Sequence, residues 1–309
     1  MVARELEYQP HASAQSLARR RTSLVSAIIP MMANYFFVEV LRGLQDRLAE
    51  SEFDLLVYST PTMAEMDGQI ERALHRGRAA GLLLASTPLT KNHVEALKRS
   101  GQPVVLVDSF HAEFDSVSID NEQGGYLATR YLVDQGYRRI GMIAAHPTSV
   151  PSIQRRVGYE KALLEAGMEV CEDRIVVSSD RAFDGYTEQA GGIGMQALLR
   201  RKPRPDAVFV VSDMQALGAL QAAGEAGLRV PEDIAVIGFD DIVVSKYVGL
   251  STLRQPMYEM GKLAVEKLLL RIQHPDHPTS HTVFAPRLIS RQTTRGSSSI
   301  SSAPFGDGR

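Results

Sequence analysis

Tryptophan is absent from these 309 residues, and cysteine occurs once, at Cys171. A lone cysteine cannot close an internal disulfide, which excludes a disulfide-stapled secreted scaffold and fits a reducing compartment, the cytoplasm. No apolar run approaches the roughly 20 residues that span a bilayer. The opening MVARELEYQP is charged and lacks an apolar core, so it does not read as a secretory signal. A dominant charge is missing as well. The net charge of −2 means that any contact with nucleic acid has to be local. The common enzyme signatures are lacking: there is no GxxxxGK(S/T), GxSxG, HExxH or CxxC. No nucleophile–base constellation stands out, so the expectation is a protein that is not an enzyme and needs no cofactor.

Two weaker signals have plainer explanations. GGIG at 191–194 lies inside a helical stretch, whereas a dinucleotide loop directly follows a strand. His274, His277 and His281 have loose metal-like spacing, but they sit among prolines in HPDHPTSH, which reads as a solvated turn. No metal site is expected.

What is present is an alternation of apolar strands and amphipathic helices. Strands are expected at 24–30, 54–59, 79–86 and 103–109, with helices at 35–50, 63–76 and 90–100 between them. After a break the set repeats. Strands at 139–145, 174–179, 206–212 and 233–241 alternate with helices from about 152, near 190–201, and after 212. Apolar strands separated by helices imply a parallel sheet covered on both faces. Two such sets imply two lobes with a cleft between them. A helix over 256–272 and two short strands around 282–290 are too little for a third domain. They are expected to complete the two existing lobes by crossing between them. The tail 295–309, RGSSSISSAPFGDGR, is Gly/Ser-rich and expected to be disordered.

In open α/β sheets, ligands bind beyond the carboxyl ends of the strands. Four such ends carry candidates. After the first strand, Asn34 suits a helix cap and the aromatics Tyr35, Phe36 and Phe37 suit stacking; the expectation is that Phe36 points outward and Phe37 packs inward. Arg155 and Arg156 lie near a helix N-terminus, where the macrodipole disfavours cations and a ligand or acidic partner would compensate. Ser212 or Asp213 is the natural cap of the following helix. GFDD, 238–241, sets two acids after an apolar strand, and one of them can accept two sugar hydroxyls.

At these residues the chain resembles the lactose-repressor/galactose-repressor (LacI) family of transcriptional regulators. The most specific match is VSDMQALGALQAAGEAGLRVPEDIAVIGFDD at 211–241. Supporting matches are PMMANYFF at 30–37, DNEQGGYLA at 120–128, GYRRIG at 136–141, RRVGY at 155–159 and LSTLRQPMYEMG at 250–261. The resemblance implies a dimeric, ligand-responsive repressor with a two-lobed, periplasmic-binding-protein-like type I core and several crossovers. It implies Phe36, Arg155, Asp240 and Ser212 as effector contacts, with an aromatic from the 183–186 loop, Phe183 or Tyr186, covering the ligand; Asn34, read above as a helix cap, is counted with them as a candidate effector residue. It also implies a hinge helix through Pro10, Ala14 and Leu17, with Leu17 wedging into the minor groove and Arg19, Arg20 and Arg21 forming a basic linker. MVARELEYQP matches only the end of the family's helix-turn-helix head. The alternative is therefore a headless sugar-binding core, or a periplasmic-type solute-binding protein without DNA binding.

On this reading 1–9 is a remnant of the head and 10–22 the hinge. Residues 23–135 with 255–280 form the first lobe, and 136–254 with 281–294 the second. The chain departs from the family pattern at Tyr35, Tyr137 and Val248-Gly249. These departures bear on pocket shape rather than fold.

Overall fold

The computed structural model describes residues 22–60, 66–75, 79–180 and 182–295. The hinge positions Ala14, Leu17, Arg19, Arg20 and Arg21, and the tail after Arg295, lie outside the described residues.

Two units are formed, one from 1–119 with 256–284, the other from 120–255 with 285–309. The first is built on β1 (Leu24–Pro30), α1 (Tyr35–Leu48), β2 (Asp54–Thr60), α2 (Met66–Ala73), β3 (Gly81–Ala85), α3 (Lys91–Ser100), β4 (Val104–Val107) and β5 (Asp115–Ile119). The second takes α4 (Asn121–Asp134), β6 (Ile140–Ala144), α5 (Val150–Glu165), β7 (Ile175–Val177), α6 (Glu188–Leu199), β8 (Ala207–Val210), α7 (Asp213–Glu225), β9 (Ala235–Asp240) and β10 (Ser251–Arg254). The chain then returns to the first unit for α8 (Met257–Gln273) and β11 (His281–Phe284), and ends in the second with β12 (Arg287–Ile289).

Sheet order is β11-β5-β4-β3-β1-β2 in the first unit and β12-β10-β9-β8-β6-β7 in the second. The first sheet is parallel throughout. In the second only β12 runs antiparallel, against β10. β1 shows why the strands read as unbroken apolar runs. Val25, Ala27 and Ile29 face one core with α1 and α8, while Ile28 faces the other with Leu82, Leu84 and Leu106. Each face of the sheet is covered, so both side-chain parities must be apolar.

Helices pair by close backbone approach at glycine. A Cβ on Gly125 of α4 would stand 1.9 Å from the Arg155 carbonyl oxygen of α5, and one on Gly158 of α5 would stand 1.9 Å from that of Glu122. Gly191 of α6 and Gly218 of α7 do the same for each other, at 1.9 and 1.8 Å from the carbonyls of Gln215 and Glu188. GGIG is thus a helix-packing surface. The His/Pro loop is likewise structural. Arg271 reaches the carbonyls of Pro275, His277 and Pro278 and pairs with Asp115 at 2.7 Å, while His281 bonds Ser116. Among the described residues no cluster of three His, Cys, Asp or Glu side chains could hold a metal, and no helix is long and apolar enough to cross a membrane.

The structure moves three lobe boundaries. Gln255 belongs to the second unit, where its N–H bonds the Asp240 carbonyl. Residues 120–135 belong to the second unit, because the Gly125–Gly158 contact binds α4 to α5. Residues 281–284 belong to the first, because β11 pairs with β5.

Candidate functional site

Helix α5 starts at an N-cap, Ser149, whose hydroxyl accepts the Ser152 N–H, and has proline in its first turn. This start aims two consecutive arginines in different directions. Arg156 turns outward, to Glu160 at 2.5 Å and to Glu172. Arg155 turns inward and is 3% exposed. Its Nε donates to Asn121 Oδ1 at 2.9 Å and its Nη1 to the Val211 carbonyl at 2.6 Å. Its guanidinium carbon lies 3.7 Å from the centre of the Phe239 ring. The fork is therefore fixed by two bonds and a stacking face, and Nη2 keeps no hydrogen-bond partner among the described residues. Such a pre-oriented planar donor suits hydroxyl or carboxylate recognition.

The cap of α7 is Ser212, whose Oγ accepts the Gln215 N–H at 3.3 Å. Asp213 is not the cap. It is fully buried, and its carboxylate turns toward the loop after β9. Oδ2 accepts from the Ile242 N–H at 3.0 Å and the Ser245 hydroxyl at 2.6 Å, and Oδ1 from the Thr252 hydroxyl at 2.6 Å. Burial first, and the charge of Asp240 second, push its pKa up to about 8. The glycine of GFDD makes room for it: a Cβ on Gly238 would lie 2.2 Å from Asp213 Oδ1.

The two acids of GFDD part company. Both have positive φ, +125° at Asp240 and +60° at Asp241, backbone states that cost non-glycine residues about 1–3 kcal/mol each. Asp241 is spent on ion pairs, with Arg254 and Arg291 each at 2.6 Å. Asp240, 6% exposed, accepts the Gln255 side-chain amide at 2.7 Å, and its carbonyl accepts the Gln255 N–H at 3.2 Å. Gln255 Oε1 is buried and has no hydrogen-bond partner among the described residues. A buried acceptor left unpaired normally costs about 1–3 kcal/mol and calls for an explanation.

Tyr186 is half-buried, and its hydroxyl bonds Ser149 Oγ at 2.6 Å, tying the 183–186 loop to the start of α5. The side chain of Phe183 lies outside the described residues.

In the first unit, Asn34 caps α1, its Oδ1 accepting the Phe36 N–H at 2.9 Å. Phe36 and Phe37 are 8% and 4% exposed and meet edge to face, with ring centres 4.9 Å apart. Both contribute to the core beneath α1, so the expected outward Phe36 and inward Phe37 are both largely buried. Three neighbouring strands of this sheet, β1, β3 and β4, end in left-handed residues: Met31, Ser86 and Asp108. The Ser86 hydroxyl donates to Asp108 Oδ2 at 2.5 Å, and the buried Ser109 hydroxyl has no partner among the described residues.

Sequence reasoning singled out neither Asn121 nor Gln255, and it did not foresee the ion pairs of Asp241 or the inward role of Asp213. Asn121 and Asp213 stood inside quoted motifs, DNEQGGYLA and VSDMQ. Gln255 likewise stood inside a quoted segment, LSTLRQPMYEMG, but nothing in it singled out the glutamine, which becomes notable only through its bond to Asp240.

The chain matches the family model of the periplasmic binding protein-like domain over residues 129–294. It is 34% identical to the ribose operon repressor of Haemophilus influenzae over 94% of this chain and 87% of that protein. Among solved structures it is similar to the transcriptional regulator CelR in complex with cellobiose, with TM-score 0.80, 29% identity, and 94% and 88% of the two chains covered. It is also similar to a LacI family transcriptional regulator from Enterococcus faecium with bound ribose, with TM-score 0.77, 25% identity, and 88% and 98% covered.

Proposed function

The chain belongs to the LacI family of transcriptional regulators, and from that premise we propose that it is a non-enzymatic, cytoplasmic repressor whose effector is a sugar or a related polyhydroxy metabolite. The observation that carries the effector class is the pairing of unspent groups in the second unit. Arg155 offers Nη2 as a donor, already oriented by Asn121, Val211 and Phe239. Gln255 Oε1, beside the Asp240 carboxylate, offers a buried acceptor. A sugar hydroxyl both donates and accepts, so a polyol meets both demands where an apolar ligand would leave them unpaired. The ribose and cellobiose in the similar regulators support the same class.

In this proposal Arg155 and Asp240 grip the effector, and Ser212 and Tyr186 line the site in the second unit. Effector binding changes affinity for operator DNA through the hinge residues Ala14, Leu17 and Arg19–Arg21. The coupling is reciprocal, so operator must alter effector affinity by the same factor. A homodimer is part of the proposal. Tyr247, 76% exposed, stands with exposed Val243 and Val248 on the loop after β9. Leu217, Leu220, Val230 and Val248 line a groove in the same unit. Apolar surface of this kind is what an obligate interface covers.

A thermal-shift screen over D-ribose, cellobiose, other sugars, polyols and nucleosides tests the reading, since a ligand of the folded state raises the midpoint. At least one sugar should raise it, and Arg155→Ala should abolish the rise. A panel in which no sugar shifts the parent protein refutes the effector class. Gel-shift titration at stated salt tests the operator arm.

A further inference from the structure

The effector site rests on a strained turn, and something must hold that turn. Asp240 and Asp241 both adopt left-handed backbone. Asp241 is clamped from outside by Arg254 and Arg291. From inside, the only carboxylate that reaches this loop among the described hydrogen bonds is that of Asp213, at the first position of α7. It joins three segments at once. Gly238 leaves space for it on β9, Ile242 and Ser245 donate to it from the loop, and Thr252 donates from β10. Asp240 lies between the first and second of these anchors.

We propose that Asp213 is a positioning residue for effector recognition, fixing Asp240 and its partner Gln255 in their binding geometry through the Ile242, Ser245 and Thr252 bonds. The proposal rests on the reading of Asp240 as an effector contact. The physical ground is that an extended strand does not turn through two consecutive left-handed non-glycine residues unless its surroundings over-determine the turn. A helix N-terminus is rigid, and its first turn tolerates a buried acid. The loop that carries Asp240 is therefore referenced to α7 and not only to its own strand.

The test is amide hydrogen exchange on the full chain without ligand, followed at Gln255, whose N–H bonds the Asp240 carbonyl and does not touch Asp213. In Asp213→Ala the Gln255 amide should exchange about tenfold faster or more, a local opening, while β6 amides keep the parent rate. Asp213→Asn should restore the parent rate to within about threefold, because asparagine copies the shape of the neutral acid and its amide can donate to Thr252 Oγ1. Unchanged Gln255 exchange in Asp213→Ala overturns the proposal, and so does equal acceleration throughout the unit, which marks a folding residue. If the alanine variant fails to fold, Ser245→Ala removes one of the three hydrogen bonds to Asp213. It should accelerate Gln255 in the same direction, and no change overturns the idea.

Titration with D-ribose adds the binding arm. Asp213→Ala should weaken binding about tenfold or more in the parent but less than about threefold in an Asp240→Asn background, as residues acting through one group are non-additive. A parent that binds no D-ribose counts against the proposed effector, while the exchange result still decides the role of Asp213.

Discussion

Replacing Arg155 with methionine separates the two demands made on this side chain. Methionine keeps much of the volume against Phe239 but donates nothing. The Val211 carbonyl and Asn121 Oδ1 then each lose a charged donor, bonds now at 2.6 and 2.9 Å. Leaving a buried acceptor unpaired costs about 1–3 kcal/mol, and the desolvated stacking on Phe239 is worth up to about 2. Against this, the burial cost of the guanidinium, several kcal/mol, is removed. The net expectation is a loss of about 3 kcal/mol, which for a unit of this size lowers the melting midpoint by roughly 6–12 °C. Scanning calorimetry of the parent and the variant reads this directly. The same substitution should weaken any sugar found to bind by about 10–150-fold, the value of one hydrogen bond from a charged donor. A variant that melts within about 2 °C of the parent would show that the Asn121 and Val211 bonds hold nothing. A variant that melts lower but binds equally would leave Arg155 a structural arginine and remove it from the site.

Gly125→Ala should be among the most damaging single-methyl additions to the second unit, because its Cβ would stand 1.9 Å from the Arg155 carbonyl and force α4 off α5; overpacking of this kind costs about 1–3 kcal/mol or more, read as a lower melting midpoint. Gly68→Ala on α2 is the matched control: nothing lies within 4 Å, so it should be neutral or stabilising by up to about 1 kcal/mol. The raised pKa of Asp213 gives a sign as well. Between the ordinary value of 3.8 and about 8 the folded state holds the extra proton, so this residue makes stability fall as pH rises through that window, by at most about 1.4 kcal/mol per unit. Denaturant midpoints of the parent should therefore drop relative to Asp213→Asn between pH 5 and 8; parallel curves would show that Asp213 stays ionised.

The parts of this protein that depend on local pattern were legible in the chain. Eight strands and most helices followed from apolar runs and their spacing, because a doubly covered parallel strand must be apolar on both faces. The elements that escaped were those whose burial is earned by polar or small residues. β5 is DSVSI, with Asp115 and Ser116 buried through Arg271, Ser280 and His281. β10 is STLR, its two hydroxyl residues buried against Thr294 and Asp213. α4 carries adjacent glycines that local propensity reads as a break, although Gly125 is what lets it dock.

The same division runs through the site. Residue identities and spacing in the 211–241 segment and its companions were enough to name a family, since motif spacing is a property of the chain; Arg155, Ser212 and Asp240 as effector contacts are part of the proposal that the family suggests. Which arginine turns inward, which acid of GFDD is consumed by ion pairs, and that Asp213 looks away from the helix it begins were decided only in three dimensions. Those outcomes depend on partners 13 to 56 residues away, Val211 for Arg155, Arg254 and Arg291 for Asp241, and Ser245 and Thr252 for Asp213. Local sequence carries no record of such pairings; the packing of α4, α5, α7 and the β9–β10 loop creates them.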